Sequence, residues 1–280
     1  MTPGVSALWR KPLPKDLASR LDERLSRVLG RKDRRRPIQV FFRADDIGVP
    51  GEQVYRLIRL FLKYRSPLNL AVVPAWLTAP RWRKLREAGA AHPELWCWHQ
   101  HGWRHVNHEP SGKKQEFGPA RSRHRIRKDL AAGFRRLEEL LGRDFTPVFT
   151  PPWNRCSRET IAVLSELGYA AFSASPAVSE GSPFAEPLPN FCVQVDLHTR
   201  KESRADRDWI ALLAELESAL SQNRCGIVIH HRRMNDQAFR FLETLLERFA
   251  FLPEIRIHRF TDMRRMAAPP FPEMKGTPSW

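Results

Sequence analysis

Ile38-Gln39-Val40-Phe41-Phe42-Arg43-Ala44-Asp45-Asp46-Ile47-Gly48 is the stretch that decides the fold. The β-branched and aromatic residues from Ile38 to Phe42 predict a buried strand, and Gly48 with Pro50-Gly51 forces a turn after it. Two carboxylates therefore stand at the carboxyl end of a strand. Parallel sheets and barrels carry their chemistry at that end. Taken alone, Asp-Asp-x-Gly reads as a turn that stops the strand and starts the next helix; its company elsewhere in the chain reverses that reading.

Outward from this stretch, strand and helix patterns alternate. Helices are predicted over 52–64, 81–88, 121–141, 158–167 (capped by Ser157), 208–220 and 236–249. Strands are predicted over 68–73, 95–98, 148–150, 171–173, 191–195, 227–229 and 255–258. Seven or eight β/α units in one chain suggest a parallel (β/α) barrel, with a doubly wound open sheet as runner-up; both put the site on the same face. The turn-prone stretch 173–190 is expected to be a loop. The chain divides into a helical basic extension over 1–36, a barrel domain over 37–266 and a Pro-rich tail over 267–280. In the first of these, Leu17, Leu21, Leu25 and Val28 fall at helical spacing.

With 280 residues, 42% hydrophobic and 28% charged, the chain has an ordinary globular balance and enough length for a large core. Cys97, Cys156, Cys192 and Cys225 form no Cys-x-x-Cys pair, which argues against a zinc ribbon or a dithiol redox motif. No apolar run reaches signal-peptide or membrane-span length, so a cytoplasmic location is expected, with peripheral contact at an inner membrane surface as an option. Lys and Arg exceed Asp and Glu by 47 to 31, a net of +16, concentrated in 31–36 and 121–128. No nucleic-acid-binding signature accompanies the charge, so an arginine-rich surface is the first reading and nucleic acid is not expected as a partner. An anionic lipid or an acidic glycan shares the remainder, and an anionic membrane or an anionic carrier could meet the basic amino-terminal region.

His101-Gly102-Trp103-Arg104-His105 supplies two imidazoles at i and i+4, which meet one ion if the segment is a helix or a tight turn. Asp46 supplies a carboxylate. Two histidines and one carboxylate leave positions open for water and substrate, the pattern of a catalytic metal site. Asp45, beside Asp46, is the candidate base, and either histidine of Val228-Ile229-His230-His231 the candidate acid. The simpler alternative for the pair is a solvated loop. Trp96, Trp98, His99, Trp103, Asn107 and His108 crowd the metal pair; Trp96 and Trp98 fit a core equally well, so Trp103 and Trp153, in predicted loops, are the better substrate contacts.

This order of motifs resembles the polysaccharide deacetylases of the NodB-homology type, carbohydrate esterase family 4 (CE4), over residues 37–260. The resemblance rests on Arg43-Ala44-Asp45-Asp46, on His101 and His105, on Phe149-Thr150-Pro151-Pro152-Trp153-Asn154 and on Val228-Ile229-His230-His231. It implies a distorted or incomplete (β/α) barrel of seven to eight parallel strands. It also implies a divalent metal, first Zn2+ with Co2+, Ni2+ or Mn2+ as alternatives, on Asp46, His101 and His105, with Asp45 as base and His230 or His231 as acid. Pro151, Pro152, Trp153 and Asn154 would line the groove. Arg43-Ala44 stands where that family has Thr-Phe, and Thr150 where it has the Arg that holds the base; Arg43 or Arg155 is then the candidate brace, and Asp196 the candidate partner of the acid. The implied activity is removal of an acyl group, first acetyl, from an N-acylated amino sugar in a polysaccharide or glycan precursor, a hydrolysis of a linear amide bond. A catalytically inactive glycan- or nucleic-acid-binding barrel, and a deformylase or other linear amidohydrolase, are the competing functions.

Overall fold

The computed structural model describes residues 4–30, 36–178 and 188–267; the basic run 31–35, half of the turn-prone stretch and nearly all of the Pro-rich tail lie outside them. Strand β1 (Ile38–Ile47) is the centre of the sheet and is buried over almost its whole length. The other strands are β2 (Leu68–Val72), β3 (Trp96–His101), β4 (Phe145–Thr150), β5 (Ala171–Phe172), β6 (Val195–Asp196), β7 (Arg224–Ile229) and β8 (Ile255–Ile257). Their order is β5-β4-β3-β2-β1-β7-β6, and every pairing is parallel. Short β8 joins the first residues of β1, Ile38 to Val40, below the point where β2 begins to pair. The result is a curled, incomplete barrel, open between β5 and β6.

Helices α1 (Leu17–Gly30), α2 (Glu52–Lys63), α3 (Ala79–Ala88), α4 (Arg123–Leu141), α5 (Arg158–Glu166), α6 (Ala205–Ser221) and α7 (Asp236–Phe251) accompany the strands, and α8 (Phe260–Ala267) closes the chain's described part. Alternation along the strands divides the sheet into two faces. Outward residues such as Val40, Phe42, Leu70, Trp96 and Trp98 join the main apolar core under the helices. Inward residues Phe41, Cys97, Val148 and Val228 meet Phe260 and Met263 of α8, so the last helix plugs the amino end of the barrel. The Phe260 amide donates to Asn69 Oδ1 on β2 at 2.7 Å, which fixes the start of that plug. Polar residues are left for the other end.

Several elements differ from their sequence-based expectations. The strand expected over 95–98 runs on to His101, which puts His99 and His101 on its inward face. The stretch 191–195 is irregular and only Val195–Asp196 pairs, against β7. Helix α8 was not expected; its Phe260 and Met263 are buried, but a short helix between basic residues carries little apolar periodicity. The amino-terminal segment, expected as an extension, packs into the main core through Leu8, Trp9, Leu17, Leu21, Leu25 and Val28. Trp9 Nε1 donates to the Leu197 carbonyl at 2.8 Å and Ser6 Oγ to that of His198 at 2.7 Å, which ties this segment to the loop after β6. No described helix is long and apolar enough to cross a membrane.

Candidate metal and catalytic centre

Asp45 and Asp46 would face opposite sides of a regular strand. Between Ala44 and Ile47 the register of β1 against β2 shifts: Ala44 lies opposite Leu70, while Ile47 lies opposite Val72. Three steps on β1 span two on β2, the mark of a β-bulge, and Asp46 takes the left-handed backbone with φ 63°. Aspartate tolerates that region better than most residues. The bulge re-aims the second carboxylate, and both aspartates line one cleft of about 790 Å³ at the carboxyl ends of the strands.

His101, the last residue of β3, reaches the same cleft by strand alternation. Its Nδ1 lies 3.0 Å from the Thr150 carbonyl, an acceptor, so Nδ1 carries the hydrogen and Nε2 is turned toward Asp46. His105 follows through a tight turn rather than a helix: Gly102 has φ 58° and His105 φ 61°. A side chain at Gly102 would collide with Glu116 and with the Pro152 ring. Glu116, buried, gathers the turn by accepting the amides of Trp103 at 3.1 Å, Arg104 at 2.7 Å and His105 at 3.1 Å. His105 Nε2 then lies 3.2 Å, and His101 Nε2 3.5 Å, from Asp46 Oδ1.

The three ligand atoms all lie within 4.8 Å of one another. Asp46 Oδ1 is buried and accepts no hydrogen bond, an orphaned acceptor aimed between two imidazole nitrogens. Burial would raise the Asp46 pKa, but His101, His230 and His105 hold it well below the usual carboxylate range. Burial would lower His101, yet Asp45 and Asp46 raise it above the ordinary histidine value. Burial and the neighbouring His101 push His105 down to about 4, the neutral form that ligates metals. A carboxylate oxygen and two imidazole nitrogens converging within 4.8 Å of one another fit a divalent cation.

Asp45 has a different environment. Arg43, two residues earlier on the same face of β1 and fully buried, donates through Nε to Oδ1 at 2.8 Å and through Nη2 to Oδ2 at 2.9 Å. The guanidinium also donates to the Ser173 carbonyl at 2.9 Å and hydroxyl at 2.8 Å, and to Asn154 Oδ1. Burial opposes ionisation of Asp45, but Arg43, His101 and His230 outweigh it and lower its pKa. Arg155 lines the cleft without touching Asp45, so the brace is Arg43. Thr150 takes another part: its hydroxyl lies 2.9 Å from His99 Nε2 beneath the site.

The two late histidines part company. His230 lines the cleft, with Nε2 4.0 Å from Asp45 Oδ2 and Nδ1 3.7 Å from Asp196 Oδ1. His231 is buried outside it, with Nδ1 3.2 Å from the Asp45 carbonyl, and burial pushes its pKa down to about 4. Asp196 is held by the amides of His198 at 2.9 Å and Thr199 at 2.8 Å. Trp153 and Asn154, both with left-handed backbone, line the cleft, and the Trp153 ring lies 4.6 Å from that of His105. Pro151 and Pro152 are buried beneath this turn instead of lining the groove. Trp103, expected at the substrate, packs against the apolar cluster around Phe117 and Phe149.

Trp76 and Glu116 went unread in the sequence. The Trp76 ring, in the loop after β2, lies 5.8 Å from His105 and forms another wall of the cleft. Its signal was available: an aromatic residue just past an apolar strand, where a core explanation is weak. Asp46, His105, Trp153 and Asn154 are four of the six non-glycine residues with positive φ among the described residues, so left-handed backbone is concentrated at this site.

The sequence matches no family model and no curated protein. Solved structures share the fold: the curled parallel half-barrel is that of the polysaccharide deacetylases and other CE4 proteins. A Mycobacterium smegmatis protein assigned as a polysaccharide deacetylase aligns with TM-score 0.60 and 16% identity, covering 82% of this chain and 90% of that one. A CE4 family pseudoenzyme from Bacillus anthracis aligns with TM-score 0.54 and 12% identity, over 83% of this chain and 66% of that one. The CE4 domain of a multidomain xylanase from the hindgut metagenome of Trinervitermes trinervoides gives TM-score 0.51 and 10% identity, over 82% and 91%.

Proposed function

We propose that the chain is a metal-dependent amidohydrolase that removes an acyl group, first acetyl, from an N-acylated amino sugar of a glycan or glycan precursor. The observation that carries this reading is the convergence of Asp46 Oδ1, His101 Nε2 and His105 Nε2, with an orphaned acceptor among them, directly beside the braced carboxylate of Asp45. A divalent ion held there, first Zn2+, supplies Lewis acidity for the acyl carbonyl and lowers the pKa of the attacking water.

The chain's own residues supply the proton traffic. Asp45, kept ionised by Arg43, takes the proton of the water as its oxygen bonds to the acyl carbon. His230, on the other side of Asp45 and backed by Asp196, donates a proton to the amine nitrogen as the C–N bond breaks. Free amine and carboxylate leave. Trp76 and Trp153, both beside His105 and lining the cleft, are rings against which a sugar can stack.

A second reading is supported by the pseudoenzyme among the similar structures: a glycan-binding barrel without turnover. The complete set of Asp45, Asp46, His101, His105 and His230 in one cleft favours the enzyme. Acetate release from N-acetylhexosamine oligomers, with and without chelator, tests it. Release that stops on chelation and in Asp45→Asn is expected; release indifferent to both contradicts the mechanism, and none from metal-loaded protein favours the binding module.

A further inference from the structure

Six cations line the cleft around the proposed metal: Lys113, Lys114, Arg155, Lys201, Arg232 and Arg233. They arrive on four separate loops, after β3, β4, β6 and β7. Their gathering is a product of the fold, since no run of basic sequence contains them. Some arginines elsewhere are paired, such as Arg24 and Arg27 with Glu217, Arg121 with Asp129 and Arg248 with Asp22, while others such as Arg83, Arg224 and Arg256 form no ion pair among the described residues, so what marks the six is their gathering in one cleft. Among the described residues none of the six in the cleft forms an ion pair.

The acids of the cleft offset only part of this charge. Asp45 is matched by Arg43, and Asp46 and Asp196 set two negative charges against the six positive ones. Two of the cations are held in place. The Arg232 guanidinium lies 5.6 Å over the Trp76 ring, and Arg233 donates to the Gly4 carbonyl at 3.3 Å. The three lysines are exposed and have no ion-pair partner among the described residues, donors on flexible stems. Like charges around a concave site repel one another and focus a positive potential on its centre. A bound anion of several charges relieves that repulsion.

We propose that the substrate of this cleft carries phosphate: an acylated amino sugar bearing a phosphate or diphosphate group close to the amide, seated on Lys113, Lys114, Lys201 and Arg233. This rests on the deacylase reading for the amide and names the class of sugar that reaches it. A lone carboxylate on the sugar brings one charge and two acceptor oxygens, too little for six donors. A phosphate brings up to two charges and three terminal oxygens, and a diphosphate more, the chemistry that Lys and Arg clusters match.

The test is equilibrium binding to metal-free protein at low salt, with N-acetylglucosamine 1-phosphate and N-acetylglucosamine as probes. The phosphorylated sugar is expected to bind at least tenfold more tightly, and Lys113→Glu/Lys114→Glu/Lys201→Glu to erase that margin. Lys84→Glu/Arg224→Glu/Arg256→Glu makes the same change of net charge at exposed positions outside the cleft and is expected to keep it. Equal affinity for the two probes, or equal loss in both triple variants, overturns the proposal. So does a single-stranded oligonucleotide, or N-acetylated amino sugar joined to glucuronate, that binds as tightly as the sugar phosphate. Because no turnover is involved, the outcome is independent of acetate release, and the deacylase reading stands or falls by its own assay.

Discussion

Asp45 and Asp46 are chain neighbours with the same functional group, and the fold gives them opposite circumstances. Each oxygen of Asp45 accepts one hydrogen bond from a single buried guanidinium of its own strand. Asp46, thrown out of register by the bulge, keeps an oxygen that accepts from nothing and faces two imidazoles. In the function we propose, these environments divide the roles: the carboxylate with a fixed internal counter-ion exchanges protons with a substrate, and the one with a vacant acceptor takes the cation. The two halves of the cleft follow this division. The metal side takes Asp46 from the bulge of β1, His101 from the end of β3 and His105 from a left-handed turn gathered by Glu116, and on the base side Arg43 ties Asp45 to Asn154 and Ser173.

The sharpest way to break this comparison is to neutralise each aspartate in turn. Asp45→Asn and Asp46→Asn are both expected to lower acetate release by roughly 10²–10⁴-fold or more. Only Asp46→Asn is expected to lose bound metal, read by elemental analysis of the purified variants; loss of metal from both would erase the distinction. The two late histidines extend it. His230→Gln is expected to reduce kcat by about 10²-fold or more with metal content unchanged, whereas His231→Gln, outside the cleft, should act mainly on stability. A reversed pattern in the rate assay would move the acid to His231.

Arg43→Met probes the base side by stability. It strands Asp45 as a buried charge, a loss of about 3–5 kcal/mol in urea unfolding. Arg43→Lys cannot restore the two-pronged contact and should recover only part of it. A near-zero change would mean that water replaces the guanidinium. Smaller and more distributed is the response to pH. Burial pushes His198 down to about 3 and His231 to about 4, so both stay neutral in the fold but take up protons when unfolded below the ordinary histidine value. Their contribution is present above about pH 6.5 and falls as pH drops toward those folded values, at up to roughly 1.4 kcal/mol per unit for each. Unfolding free energies between pH 7 and 4 check the slope, and His198→Asn should flatten part of it.

The α/β alternation was legible because each central strand is an apolar run ending at turn residues, and the resemblance to CE4 proteins rested on side chains at those ends. Arg43 as a brace was half legible: period-two alternation places it on the face of Asp45, but Arg155 satisfied the motif equally well until long-range packing separated them. The bulge was invisible, since it exists only in the pairing of β1 with β2. His230 and His231 were indistinguishable because both follow the same apolar run, and only the turn after β7 decides which one faces inward. Glu116 lies in a polar stretch without periodicity, and its work, gathering three amides, leaves no trace in composition. The amino-terminal segment looked detachable because a basic run follows it, although its apolar stripe is spent on the main core.

A crystal structure of the Zn2+-loaded protein with anomalous scattering at the metal edge tests the central claim most directly. One peak is expected at about 2.0–2.2 Å from Asp46 Oδ1, His101 Nε2 and His105 Nε2, with Asp45 still paired to Arg43 and outside the coordination sphere. A peak that recruits Asp45, or none among these three residues, would contradict the division of labour between the two aspartates.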